Sequence, residues 1–248
     1  MLDYVCNVCG AAQAADLSQL DREAGACGGC GAWVRPRATT HLVSLGLFGR
    51  SLPVPEWPAS PQLRGLGISD WRGFAAHYAA RVHYENTHLH KRPRLDLRDP
   101  PDDFRGRADF VSCSDVLEHV EGEVQAAFDG LFSLLKPGGT LVLTVPYGFG
   151  ETVEHFPRLH DWRLEPSPEG ATLVNVTLDG EVERFSKLCF HGGPGQVLEM
   201  RIFGLPDLQA RLAAAGFEAV EVLTDDVLEY GVRLVHPWSR PISARRPA

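Results

Sequence analysis

The chain has 248 residues, of which 44% are hydrophobic and 23% charged, a balance that excludes a disordered or fibrous protein and allows a well-buried core. No run approaches the ~18 apolar residues of a membrane span, and the amino end MLDYVCNVCG has no basic stretch before an apolar one, so no membrane protein and no secretion signal are expected. With 24 Lys and Arg against 32 Asp and Glu the net charge is −8, which makes nucleic acid an unlikely partner.

Four of the six cysteines fall in the first 30 residues, as Cys6-Asn-Val-Cys9-Gly10 and Cys27-Gly-Gly-Cys30-Gly31. A cytoplasmic location is expected, and in a reducing compartment clustered cysteines read as metal ligands before disulfides. Two residues between thiolates let a tight turn present both sulfurs to one ion, and the glycine that follows tolerates the positive φ such a knuckle needs. Cys6, Cys9, Cys27 and Cys30 therefore predict a closed, structural zinc site, with iron as the alternative occupant. This zinc ribbon spans residues 1–37 and draws most of its folding energy from the metal. Four thiolates on a divalent ion carry a net −2, which takes the working charge to about −10.

Residues 38–62 read as a proline-rich connector, since Pro53, Pro55, Pro58 and Pro61 exclude a continuous helix or a central strand there. His41 to Phe48 is apolar enough to pack on something. From residue 63 strand and helix signals alternate. Leu63 to Ile68 is a short apolar run ending at Ser69-Asp70, two helix-capping residues, and Trp71, Phe74, Tyr78 and Val82 follow at helical spacing. Ala108 to Cys113 reads as a buried strand. Val116, Leu117, Val120, Val124, Phe128, Leu131 and Leu135 mark a helix that stops at Lys136-Pro-Gly-Gly139, and Thr140 to Val145 is a strand. Residues 147–200 form a long insertion with a hairpin at Asp179-Gly180 and an end at Phe190-His191-Gly-Gly-Pro-Gly195. A helix from Pro206 to Gly216 and a strand from Glu218 to Leu223 follow. The fold class is α/β, a parallel sheet with helices on both faces, and such sheets bind ligands at the carboxyl ends of their strands.

Ser114-Asp-Val-Leu-Glu-His-Val120, then Leu135-Lys-Pro-Gly-Gly-Thr-Leu-Val142 and Leu212-Ala-Ala-Ala-Gly-Phe217, resemble the class I methyltransferases that use S-adenosylmethionine. The resemblance covers residues 63–248. It implies a Rossmann-like seven-stranded sheet with the cofactor at the ends of its first four strands. Arg64-Gly65-Leu66-Gly67-Ile68-Ser69 stands for that family's glycine-rich turn, without its third glycine or its acid. The alternative is Leu45-Gly-Leu-Phe-Gly49, with Gly67-Ile-Ser69 then ending the second strand. The resemblance places Gly65, Gly67 and Ser69 by the methionine part. Glu85 and Asn86 fall by the ribose, Asp96 and Leu97 at the end of a third strand by the adenine, and Ser114 and Asp115 at the end of the fourth. From Asn86 to Asp96 there is no room for the usual helix.

The insertion is expected to form a substrate lid over the cofactor cleft, and His155, His160 and His191, with His119 beside the strand end, are the candidate proton acceptors. No spacing in it is diagnostic of a metal. The expected activity is methyl transfer to a hydroxyl or amine of a small-molecule or sugar-like acceptor. Two alternatives are a ribosomal RNA methyltransferase, against which the charge weighs, and a methyltransferase-like binding protein that no longer holds cofactor.

Overall fold

The computed structural model describes residues 1–168, 170–191 and 197–248. The expected glycine-proline turn at 192–195 lies outside the described residues. A hairpin of β1 (Leu2–Val5) and β2 (Ala12–Ala15) opens the chain, followed by helix α1 (Val34–Phe48). Then come β3 (Ser60–Ile68), α2 (Arg72–Ala79), β4 (Val82–Thr87), β5 (Ala108–Ser114), α3 (Gln125–Leu134) and β6 (Leu135–Thr144). The insertion holds β7 (Tyr147–Gly148), β8 (Val153–Glu154), β9 (Asp161–Ser167), β10 (Gly170–Val176), β11 (Val182–Phe185), β12 (Phe190–His191) and β13 (Val197–Leu198). The chain closes with β14 (Arg201–Gly204), α4 (Leu205–Ala214), β15 (Glu218–Val222) and β16 (Ile242–Arg245).

The central sheet has the order β15-β16-β6-β5-β3-β4. Strands β4, β3, β5 and β6 are parallel, while β16 runs antiparallel to both β6 and β15. Alternation along each strand divides the core. Phe110 and Val142 pack with Leu42, Val43, Phe74 and Tyr78 of α1 and α2, whereas Val111, Leu141 and Leu143 pack with Phe128, Leu131 and Leu212 of α3 and α4. The expected mixed α/β sheet with helices on both faces is therefore present.

Four expectations change. The sheet has six strands rather than seven, because residues 88–107 form a loop with a single bridge between His88 and Arg94. Pro93, Pro100 and Pro101 have no N–H to give a ladder, and buried Leu95 and Leu97 pin the loop to the core instead. Asp96 thus sits on that loop and ends no third strand. Second, residues 38–48 of the expected connector belong to α1, which packs against β5 and β6. Third, Trp71 rather than Ser69 or Asp70 stands at the N-cap position of α2, and no side chain among the described residues caps the helix. Fourth, the helix expected from Val116 starts at Gln125, after a single tight turn at Leu117–His119. The buried guanidinium of Arg201 holds that intervening loop by donating to the carbonyls of Leu117, Val120 and Gly122 at 3.2, 2.6 and 3.0 Å.

The amino-terminal segment is built into the core. Cys6, Val8 and Cys27 share a cluster with Leu42, Trp57 and Tyr78, and buried Arg37 donates to the carbonyls of Gly25, Ala32 and Gly231 while lying over the Tyr4 ring. The insertion has its own apolar cluster of Phe156, Leu173, Leu198 and Met200. In it β9, β10 and β11 form an antiparallel meander that turns at Asp179-Gly180 with Gly180 at φ 86°. No helix among the described residues is long and apolar enough to cross a membrane.

Candidate active site

A cleft of about 1160 Å³ opens at the carboxyl ends of β3 and β5. Ordinary small-ligand pockets run to roughly 1,000 Å³, so this one has room for a cofactor and a second small molecule together. Trp33, Trp71 and Phe74 supply aromatic surface, with the two tryptophan rings 4.9 Å apart, and the buried Trp33 Nε1 has no hydrogen-bond partner among the described residues. Ser69 and Asp115 end β3 and β5 with φ of 56° and 52°. Left-handed backbone at non-glycine residues costs about 1–3 kcal/mol and collects at working sites.

Asp115 is tied to the amino-terminal segment. Its carboxylate accepts from Arg22 at 2.5 Å and Thr144 at 3.0 Å, and Arg35 stands 3.3 Å away. Burial alone would raise this carboxyl, but the charges of Arg35 and Arg22 hold it below its usual range. Arg35 also donates to Ser114 Oγ at 2.7 Å. Nothing in the sequence pairs positions 22 and 35 with position 115.

The glycine-rich segment serves packing. A Cβ on Gly65 would come within 2.2 Å of the Phe110 ring, and one on Gly67 within 2.1 Å of Tyr84 Oη and 2.6 Å of Asp70. Both glycines face the stacked Tyr84 and Phe110 rings and not the cleft. Asp70, expected as a cap, is buried beneath them, where it accepts from Tyr84 Oη and Ser112 Oγ, and burial pushes its carboxyl up to about 7. Asn86 is occupied by the Asp70 backbone, accepting at 2.9 Å and donating at 2.8 Å. Glu85 does not line the cleft. Of the expected cofactor residues Ser69, Asp96, Leu97, Ser114 and Asp115 do, with Asp96 held by two bonds from the Arg98 guanidinium.

The expected histidines separate. His119 and His191 meet on the cleft wall, edge to face, 4.6 Å between ring centres. His155 stands behind them and bonds Glu199 at 2.9 Å, while the backbone of His160 bonds Asn175 on the far meander. Glu118 and Glu199, missed in the sequence, complete the group. Glu118 is buried with neither carboxylate oxygen partnered among the described residues, and burial followed by the nearby Asp115 charge pushes its carboxyl well up. The Glu118-His119 dipeptide after a buried strand was the available signal; Glu199 had none.

The four cysteines converge, with Cys6 Sγ 3.7 Å from Cys30 Sγ and Cys9 Sγ 3.6 Å from Cys27 Sγ. These separations are far beyond a disulfide and close to the ~3.8 Å edge of a tetrahedron with 2.3 Å metal–sulfur bonds. The knuckles repeat one another: Gly10 N bonds Cys6 O and Gly31 N bonds Cys27 O, with φ of 79° and 80°. The glycine reading holds at both positions.

Residues 58–222 match the model of a methyltransferase domain family. No curated protein matches the chain. Among solved structures, the CurJ carbon methyltransferase aligns with TM-score 0.50 and 14% identity over 87% of this chain and 55% of its own. CalS10, an amino pentose methyltransferase from Micromonospora echinaspora, gives 0.48 and 18% over 87% and 92%. The 1,6-didemethyltoxoflavin-N1-methyltransferase of Burkholderia thailandensis gives 0.46 and 16% over 87% and 78%. With two thirds of its length inside the family match, the chain belongs to the methyltransferase domain family.

Proposed function

We propose that the acceptor is a hydroxyl or amine on a small or sugar-like molecule, which enters between the insertion and the ends of β3 and β5. The observation that carries this reading is the meeting of His119, from the loop after β5, with His191 and Glu199, from the insertion, in the cleft that also holds Ser69 and Asp115. The acceptor's lone pair attacks the methyl carbon in line with the carbon–sulfur bond, whose electron pair returns to sulfur as a neutral thioether. Alignment contributes much of the rate. The acceptor's proton leaves towards the histidine and glutamate group. Trp33, Trp71 and Phe74 offer stacking surface for the cofactor's flat base, and Asp96 and Ser69 offer polar contacts at its margin.

Cys6, Cys9, Cys27 and Cys30 would hold zinc. Four thiolates leave no open coordination position, so zinc there supplies folding energy and takes no part in transfer. Buried Arg37 places a positive charge beside this anionic group.

Calorimetry of the full chain with S-adenosylmethionine and S-adenosylhomocysteine tests the reading, alongside metal analysis. Binding of both, with His191→Ala lowering turnover while cofactor affinity stays nearly intact, is the expected result. Absence of binding at millimolar cofactor would leave the binding-protein alternative, and absence of zinc and iron would remove the metal site. Tight RNA binding with a steep salt dependence would favour the ribosomal RNA alternative.

A further inference from the structure

The group formed by Glu118, His119 and His191 has a geometry that hydrogen bonding does not explain. Glu118 has 1% of its side chain exposed, and neither oxygen has a partner among the described residues. His119 Nε2 and His191 Nδ1 approach Glu118 Oε1 at 3.7 and 3.6 Å, too far for hydrogen bonds. Ligands on one ion at about 2.1 Å in a tetrahedron stand ~3.4 Å apart, so these distances suit a common ion.

The imidazole edges are fixed in the sense an ion requires. His119 Nδ1 lies 2.8 Å from the carbonyl oxygen of Leu198, which accepts only a hydrogen, so Nδ1 carries the proton and Nε2 presents a lone pair to Glu118. His191 Nε2 lies 3.2 Å from Glu199 Oε2, which favours the proton there and leaves the Nδ1 lone pair facing Glu118. Two lone pairs and a carboxylate oxygen therefore converge, with no hydrogen-bond donor to that carboxylate among the described residues. Glu199, itself held by His155 at 2.9 Å, stands behind His191 as outer carboxylates stand behind metal-bound imidazoles. Buried Arg201 fixes the other side by binding three carbonyls of the loop that carries Glu118 and His119.

We propose that Glu118, His119 and His191 bind one divalent transition-metal ion at the edge of the cleft, and that its open positions take an oxygen of the acceptor. Two imidazoles and one carboxylate suit manganese, ferrous iron, cobalt or zinc, and three protein ligands leave coordination free. This rests on the methyl-transfer reading and narrows its acceptor to an oxygen nucleophile, a hydroxyl flanked by a second oxygen being the best fit. With the lone pairs of His119 and His191 taken up by the ion, those imidazoles no longer serve as the base, and the ion instead favours loss of the hydroxyl proton to solvent. The resulting oxyanion then attacks the methyl carbon, and the carbon–sulfur electron pair goes to sulfur.

Manganese(II) is the probe, because it favours carboxylate and imidazole over the four thiolates. Electron paramagnetic resonance of the full chain without cofactor should register one equivalent bound. His191 is about a third exposed, so His191→Ala should fold and weaken binding at least 100-fold. Glu199→Gln should weaken it about tenfold, the lower end for a lost outer-shell partner. Cys189→Ser should bind as the parent chain does, although Cys189, His191 and Glu199 form a second close group. No binding at millimolar manganese, equal binding by His191→Ala, or loss of binding in Cys189→Ser alone would each overturn the assignment. Manganese bound by a chain that binds no S-adenosylmethionine would keep the site and remove the methyl-transfer reading. Methyl transfer indifferent to manganese and to chelation would do the reverse.

Discussion

Among the described residues, the four cysteines and the Glu118, His119 and His191 group each bring donor atoms within 4.8 Å of one another, and they are assembled in opposite ways. The cysteines come from 25 consecutive residues and are positioned by two copies of one local turn. Glu118, His119 and His191 come from a strand-end loop and an insertion some seventy residues later, held in place by Arg201 and by the bond from Met200 N to Glu118 O at 2.8 Å. A local group is written in the spacing of its residues. A remote one exists only once the sheet has formed, and spacing carries no trace of it.

The contrast is sharpest in stability. Cys27 is buried in the cluster that joins the cysteine segment to α1 and α2, so Cys27→Ser should cost about 4 kcal/mol or more through loss of the metal, read by denaturant titration. Because Arg22 and Arg35 hang on that segment, the same variant should also lose cofactor affinity; retained affinity would mean the segment is independent of the cleft. Asp115→Ala, which leaves those two arginines paired with the half-exposed Glu23, should cost up to about 3 kcal/mol, the order expected for breaking one side of a buried ion pair. A double-mutant cycle with Arg22→Ala should register the coupling.

Gly67→Ala tests whether the glycine turn serves packing. Its Cβ would stand 2.1 Å from Tyr84 Oη, so a loss of about 2 kcal/mol is expected, partly restored by adding Tyr84→Phe. Unchanged stability with weakened cofactor binding would return Gly67 to a cofactor role. A further effect is on pH dependence. The Asp70 carboxyl is raised from 3.8 to about 7, so the folded chain holds this proton more tightly than the unfolded one. Its contribution is therefore full in acid and is lost as pH rises from about 4 to 7. Asp70→Asn should flatten that slope in thermal unfolding followed across this range.

Strands β3, β5 and β6, helix α4 and the knuckle glycines were legible because each is decided by its own residues: an apolar run, a period, a positive φ; β4 came only through the family resemblance, and its Val82 reads as part of a helix. Helix α1 was hidden because Arg37, Thr39, Thr40, His41 and Ser44 are all buried, so its polar positions break the apolar period that marks a helix. β16 was missed since Ile242 to Arg245 is a short segment among prolines, which only pairing with β6 and β15 makes a strand. The family resemblance carried Gly65, Gly67, Glu85 and Asn86 to the cofactor, but Phe110, Tyr84 and Asp70 surround the two glycines and Asn86, and Glu85 does not line the cleft. The histidine list mixed two that reach the cleft with two that do not, because Glu199 engages His155 and Asn175 engages His160 within the insertion.

Strand β16 lies between β6 and β15, yet its residues follow the last position of the family match. A chain cut to residues 58–222 would leave β15 with no neighbour to bond, and would also lack α1 beneath the sheet and both arginines of Asp115. The segment that matches the family is thus smaller than the set of elements that pair and pack together here, and likeness and contact draw their borders in different places.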